Sequence, residues 1–292
     1  MMGMDARSLR GDIALFLVLT LAISCIFYPL IIGAGGAPAT RNYVTGLMWS
    51  PAIAALLTVY LRKLVLASLG WGWGETRWNL AGYLIPLGYA GIAYLIVWLT
   101  GLGGFADTAN VAKFAAMLGW PDAQPTLVII SYVVMMATTG FVSALATGLG
   151  EEIGWRGFLA PRMASLIGFT PSVFVVGLIW AAWHMPLLLF GNYNQGTEWW
   201  FSATCFTVLV LGVSMIMAWL RLRSGSLWPC AILHASHNLF IQGIFTPLTG
   251  ERGTATAYSI DEFGFALPMV LIGVAIWFWM RRKQAIMAEA AT

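Results

Sequence analysis

The sequence predicts an all-α fold: a polytopic membrane helix bundle with about eight transmembrane helices, both termini cytoplasmic, and a single transmembrane domain over residues 1–292. Three observations predict it. The chain is 60% hydrophobic and only 9% charged, where soluble domains run near 45–50% apolar and 25% charged. Its charged side chains are 15 Lys and Arg plus 12 Asp and Glu, against roughly 73 for a soluble chain of this length. The apolar residues fall into eight stretches near the ~20 residues that cross a ~30 Å hydrocarbon core. Lastly, the positive residues alternate from side to side along those stretches. A soluble globule is thereby excluded, and so is disorder, which needs low hydrophobicity and high charge. A net charge of +3 is too weak for a nucleic-acid partner; the expected partner surface is the lipid bilayer of the cell membrane.

The first span is 12–33. Arg7 and Arg10 precede it as the basic flank of a signal peptide would, and Ala37-Pro38-Ala39 loosely matches a cleavage site. However, the apolar run is about 20 residues where a signal core has 7–15, and Pro38 sits badly at such a site, so a retained helix is expected. Spans two and three are 46–66 and 80–101. The connection near 102–125 is far shorter than the ~50 residues of an independent domain. Span four is 126–150, and span five, 171–190, is kinked or ended by Pro186. Span six is 202–221. Span seven, 227–246, is introduced by capping residues Ser224–Ser226 and by Pro229 in an early turn. Span eight is 263–281. With the N-terminus inside, twelve of the 15 positive residues fall in inside segments, and Arg41, Lys113 and Arg252 fall outside. That bias sets the orientation. Trp71 and Trp73, Trp199 and Trp200, and Trp277 and Trp279 sit near span borders as an aromatic belt. Cys25, Cys205 and Cys230 lie within spans without metal spacing and read as small core residues, with no disulfide framework implied.

Ionisable groups inside spans are costly and mark function. Here they are few: Glu151, Glu152, His184, His234 and His237, with Arg156 and Asn238 beside them. No other histidine exists in the chain. Within Leu149–Gly157, Glu152 and Arg156 are four residues apart and share a helix face, while Glu151 points about 100° away. Glu152 is thus placed to pair with the guanidinium, and Glu151 is left for other work. A carboxylate without a partner in a low-dielectric site is a stronger base, suited to general-base chemistry. Trp180 and His184 share a face, and so do His234 and Asn238. Each segment alone also fits a structural role, such as a histidine bonded to a backbone carbonyl. Three helices bringing such groups to membrane depth, with no fourth expected to, suit water activation with an amide donor for an oxyanion. Neither His-Glu-x-x-His nor Gly-x-Ser-x-Gly is present, against the common zinc protease and serine hydrolase signatures.

In this order, the three segments resemble the type II CAAX prenyl endopeptidase family, the CPBP group of intramembrane proteases, which also includes bacteriocin self-immunity proteins. The family's Glu-Glu-x-x-x-Arg is Glu151, Glu152 and Arg156. Its Phe-x-x-x-His is met at His184, with Trp180 in place of Phe. Its His-x-x-x-Asn is His234 and Asn238. The resemblance spans about 150–240, the expected catalytic core. It implies an eight-span bundle and an endopeptidase in which Glu151 activates water with help from His184. His234 and Asn238 would stabilise the oxyanion, and Glu152 and Arg156 would orient helix and base. It is compatible with a metal-independent glutamate protease. It is also compatible with a metalloprotease in which His184, His234 and Glu151 hold Zn2+ with an open position. His237 is expected to be a local hydrogen-bond partner. The implied substrate is a peptide or membrane-protein tail, lipid-modified or not. The competing classes are a non-catalytic immunity or scaffold protein and a proton-coupled transporter. Glu151 near the inner end of span four can meet His184 only if that helix runs beyond the membrane border or span five begins deep in the cytoplasm.

Overall fold

The computed structural model describes residues 6–290 except 36, 38, 192, 194 and 195, and side chains as far as residue 287; Pro38 of the cleavage-like tripeptide therefore lies outside the described residues. Helices α1 (Ala6–Ala34), α2 (Thr40–Leu61) and α3 (Thr76–Leu99) come first. A short α4 (Thr108–Leu118) follows, its first turn closed by the Asp107 carboxylate, which accepts the Asn110 N–H at 3.0 Å. Next are α5 (Pro125–Ile167), α6 (Phe169–Phe190) and α7 (Trp199–Ser224). The α8 helix (Trp228–Asn238) runs on through a π-helical segment, Leu239–Phe245, into Thr246–Leu248. A single turn, α9 (Thr254–Ser259), leads to α10 (Ala266–Met280) and α11 (Arg282–Ala290). The described strands are β1 (Gly104–Phe105) and β2 (Thr249–Gly250), an antiparallel pair that ties the connection after α3 to the end of α8. The protein is an all-α, multi-pass membrane bundle.

Among the described residues, six helices are long and apolar enough to cross a membrane: α1, α2, α3, α5, α6 and α7. The stretches expected as spans seven and eight are helical but fall short of that standard. The first carries His234, Ser236, His237 and Asn238 in its middle. The other, α10, has 15 residues, about 22 Å at 1.5 Å per residue.

The fourth span also differs from expectation. Instead of ending near 150, α5 continues to Ile167 as one helix of 43 residues. Gly154 and Gly157 lie in a π-helical segment, Ile153–Leu159, that carries the helix onward. Glu151 is therefore well inside α5. Gly168, at φ +79°, then turns the chain back so that α6 packs against the end of α5. Left-handed φ of this kind costs glycine least. This hairpin removes the difficulty over Glu151 and His184: the two are nearly equidistant in sequence from the turn.

Glycines set the helix spacing around α5. A Cβ on Gly154 would sit 2.4 Å from the Pro51 Cβ and 2.8 Å from its carbonyl oxygen, and one on Gly150 would sit 2.8 Å from the Met48 carbonyl oxygen. The backbones of α2 and α5 thus touch. On another side, α8 packs against α3 and α5. Two expectations need correction. Arg156, Arg162 and Arg221 are buried in the bundle, so they do not act as loop charges; nine inside positive residues remain against three. Cys25 is exposed on α1, whereas Cys205 and Cys230 are buried as expected. Periodicity decides such a case: the buried Ser24 and Tyr28, one turn apart, face the bundle, and Cys25 lies off that face.

Candidate active site

Two adjacent glutamates on α5 diverge as the helix geometry requires. Glu152 is fully buried, and its Oε1 accepts hydrogen bonds from Arg156 Nη1 at 2.9 Å and from His234 Nδ1 at 2.9 Å. The guanidinium also donates through Nη2 to Ser214 Oγ on α7 at 3.0 Å, and stacks 4.1 Å over the Trp180 ring. Arg156 is thus held by three helices. An ion pair this deep needs further hydrogen bonds beside the Coulomb attraction, and here His234 supplies one to Glu152 and Ser214 accepts one from Arg156.

Glu151 turns to the other side. Its Oε2 accepts the indole N–H of Trp180 at 2.7 Å and of Trp155 at 3.3 Å. The carboxylate is therefore not without partners, as sequence geometry alone had suggested. It is oriented by two neutral donors rather than by a cation. Trp155 is four residues from Glu151, a spacing that could have revealed it.

Glu151, Trp180, His184, His234, Asn238 and Glu262 are among the residues lining one cavity of about 50 Å³. At about 10–15 Å³ per water, it takes a few waters and no peptide. The π-helical segments that follow Glu152 and Asn238 flank it on α5 and α8; such segments recur at functional sites because they re-aim side chains within a helix. Gly148 supports the wall: a Cβ there would meet the His234 ring at 3.3 Å.

Hydrogen bonds assign the imidazole nitrogens. His184 Nδ1 lies 3.0 Å from the Trp180 carbonyl oxygen, which only accepts, so Nδ1 carries the proton and Nε2 of the neutral ring is an acceptor. His234 Nδ1 likewise donates to Glu152. His237 belongs to a second network. Its Nδ1 meets the Tyr89 hydroxyl at 2.5 Å and its Nε2 meets Glu262 Oε1 at 3.0 Å, while the Tyr193 hydroxyl donates to Glu262 Oε2 at 3.0 Å. His237 is a hydrogen-bond partner, but of Tyr89 and Glu262, which are remote in sequence. A fourth segment does reach the cavity, contrary to expectation: Glu262 enters from the turn before α10. Burial raises its carboxyl, but the hydrogen bonds it accepts, from His237 first and then Tyr193, work against that, and it lies below the ordinary value.

A metal fits the donor set poorly. Among the described residues no three His, Cys, Asp or Glu side chains are grouped to hold a metal ion. Glu151 Oε2 is taken by two indoles, and the motif carboxylate oxygen left buried without a partner is Oε2 of Glu152.

Fold and site together define a multi-pass membrane helix bundle with a buried carboxylate–imidazole centre. Residues 130–240, which contain all six motif residues, match the family model for type II CAAX prenyl endopeptidase Rce1-like proteins. Over that stretch the chain is similar to the family. Over 80 residues, 25% of this chain, it is 28% identical to CAAX prenyl protease 2 of Methanococcus maripaludis. The matched stretch is 28% of that relative's length.

Proposed function

We propose that this protein is an intramembrane endopeptidase that hydrolyses peptide bonds with water activated by Glu151. The observation that carries this reading is the Glu151 carboxylate, fixed by a 2.7 Å bond from Trp180 at the wall of a water-sized cavity shared with His184, His234 and Asn238. Glu151 takes a proton from water as the oxygen attacks the peptide carbonyl carbon. His184, an acceptor at Nε2, helps align that water. The oxyanion is stabilised by the Asn238 amide and by His234. Because His234 already donates from Nδ1 to Glu152, its Nε2 donates to the oxyanion only as imidazolium, and Glu152 is the counter-charge. Collapse of the intermediate breaks the C–N bond, and Glu151 passes its proton to the departing amine. Arg156 and Glu152 hold α5, α7 and α8 in register around the base.

The substrate in this reading is a peptide or membrane-protein tail, with a prenylated CAAX end as the first candidate because the relative is named for it. The cell membrane, with both termini cytoplasmic, is the proposed location. No step in this reading is routed through zinc. The test is cleavage of a quenched-fluorescent peptide library, with and without a farnesylated cysteine, by the purified protein in liposomes. Loss of cleavage in Glu151→Gln supports the reading. Metal analysis and a chelator arm decide whether a metal contributes.

A further inference from the structure

The cavity has a second carboxylate that the motif residues do not include. Glu262 is buried, precedes α10 and lies outside the stretch that matches the family model. Both its oxygens accept: Oε1 from His237 Nε2 at 3.0 Å and Oε2 from the Tyr193 hydroxyl at 3.0 Å. A carboxylate can only accept, so Nε2 of His237 carries a proton. In the neutral ring Nδ1 is then bare, and the Tyr89 hydroxyl, 2.5 Å away, is its donor. The bonds thus run one way, from Tyr89 on α3 through His237 on α8 to Glu262, where Tyr193 joins. His237 immediately precedes Asn238 and is one turn from His234.

We infer that Glu262 is a positioning residue for the active site: it fixes His237 as the neutral Nε2–H tautomer, and so sets the rotation of α8 that aims His234 and Asn238 into the cavity. Glu262 also holds the Tyr193 ring, which lines the same cavity and stacks with His184 at 6.3 Å. With its polar atoms spent within this chain of bonds, His237 does not compete for the reacting water. The inference rests on the endopeptidase reading for its rate consequence, but its structural content is independent of that reading. A catalytic group displaced by about 1 Å through a change away from the chemistry can lose up to about 10²-fold in rate.

The chain has three histidines, so 15N-histidine labelling of the full-length protein in nanodiscs gives three pairs of ring signals, one Nδ1 and one Nε2 each, and one His→Gln variant assigns each pair. The expected result at neutral pH is a His237 ring protonated at Nε2 and bare at Nδ1 in the wild type. Glu262→Ala should give a mixture of tautomers and a kcat reduced by up to about 10²-fold with KM nearly unchanged. Glu262→Gln retains an oxygen acceptor for Nε2–H and should recover both the tautomer and most of the rate. A wild-type His237 protonated at Nδ1 instead of Nε2 overturns the inference even if the alanine variant does not fold. So does a Glu262→Ala protein with wild-type signals and rate. If the tautomer behaves as expected but the wild type cleaves no farnesylated or unmodified library peptide, the endopeptidase reading fails while the assignment of Glu262 to His237 stands.

Discussion

The Trp180 indole N–H lies 2.7 Å from Glu151 Oε2, bridging the α5–α6 hairpin at its buried face. The same ring carries the Arg156 guanidinium on its face at 4.1 Å. One side chain thus touches both halves of the Glu-Glu-x-x-x-Arg motif, donating to the free glutamate and stacking on the partner of the other. It occupies the position where the family pattern has Phe, which has no N–H.

Trp180→Phe should therefore keep the stacking surface but release Glu151. A hydrogen bond to a charged group contributes about 1.5–3 kcal/mol, which converts to a loss of about 10–100-fold in kcat/KM. Trp155→Phe, whose bond to the same oxygen is 3.3 Å, should cost less. Steady-state cleavage kinetics on both variants check the order; equal effects, or none, count against indole orientation of Glu151.

Arg156→Leu leaves the Glu152 carboxylate buried without its cation. Breaking a buried pair in this way costs about 3–5 kcal/mol, a large part of the ~5–15 kcal/mol that holds a typical domain. The expected outcome is a strongly lowered Tm in detergent or no folded protein, where Arg77→Leu, whose pair with Glu75 is exposed on both sides, should be milder.

Gly154→Ala places a methyl 2.4 Å from the Pro51 side chain and 2.8 Å from its backbone. Neither helix can yield cheaply, so overpacking of about 1–3 kcal/mol is expected. Thermal unfolding should show it, together with a fall in rate as α5 is pushed from α2 and Glu151 shifts. Gly273→Ala, with open space around it, is the control and should change neither.

Asp261 gives a pH dependence. Burial, aided by the charge of Glu262, pushes its carboxyl up from 3.8 to about 7. The folded state then binds this proton more tightly than the unfolded chain does. Its contribution to stability is complete below the unfolded value and is lost as pH rises through about 7. Asp261→Asn keeps the oxygen that accepts the Glu262 N–H at 2.8 Å and suits the left-handed φ of +64°. Its Tm relative to wild type should rise from pH 4 to about 7 and level off above that; a difference independent of pH contradicts the assignment.

Much of this centre was legible in the residues, and the illegible parts have physical reasons. The divergence of Glu151 and Glu152 follows from 100° per residue, and the Glu152–Arg156 pair from the four-residue spacing; both are present in the structure. The convergence of Glu151 with His184 was expected, but the way they meet was not legible, because apolar length places the end of span four near 150. Only the π-helical segment, which packs Gly154 on Pro51, shows why α5 continues. Glu262, Tyr193 and Tyr89 escaped because attention to charges inside spans passes over a turn residue and two phenols. Their link to His237 depends on tertiary packing that no local pattern encodes.

The central claim is that Glu151 activates water in this cavity. Its most direct measurement compares wild type and Glu151→Gln, both reconstituted full-length in liposomes, on the farnesylated and unmodified peptide library. Insertion and Tm are checked in parallel. Glutamine keeps an oxygen for the two indoles but cannot take the proton, so cleavage should fall by at least about 10²–10⁴-fold with the fold intact. A folded Glu151→Gln protein that cleaves at the wild-type rate would contradict the account.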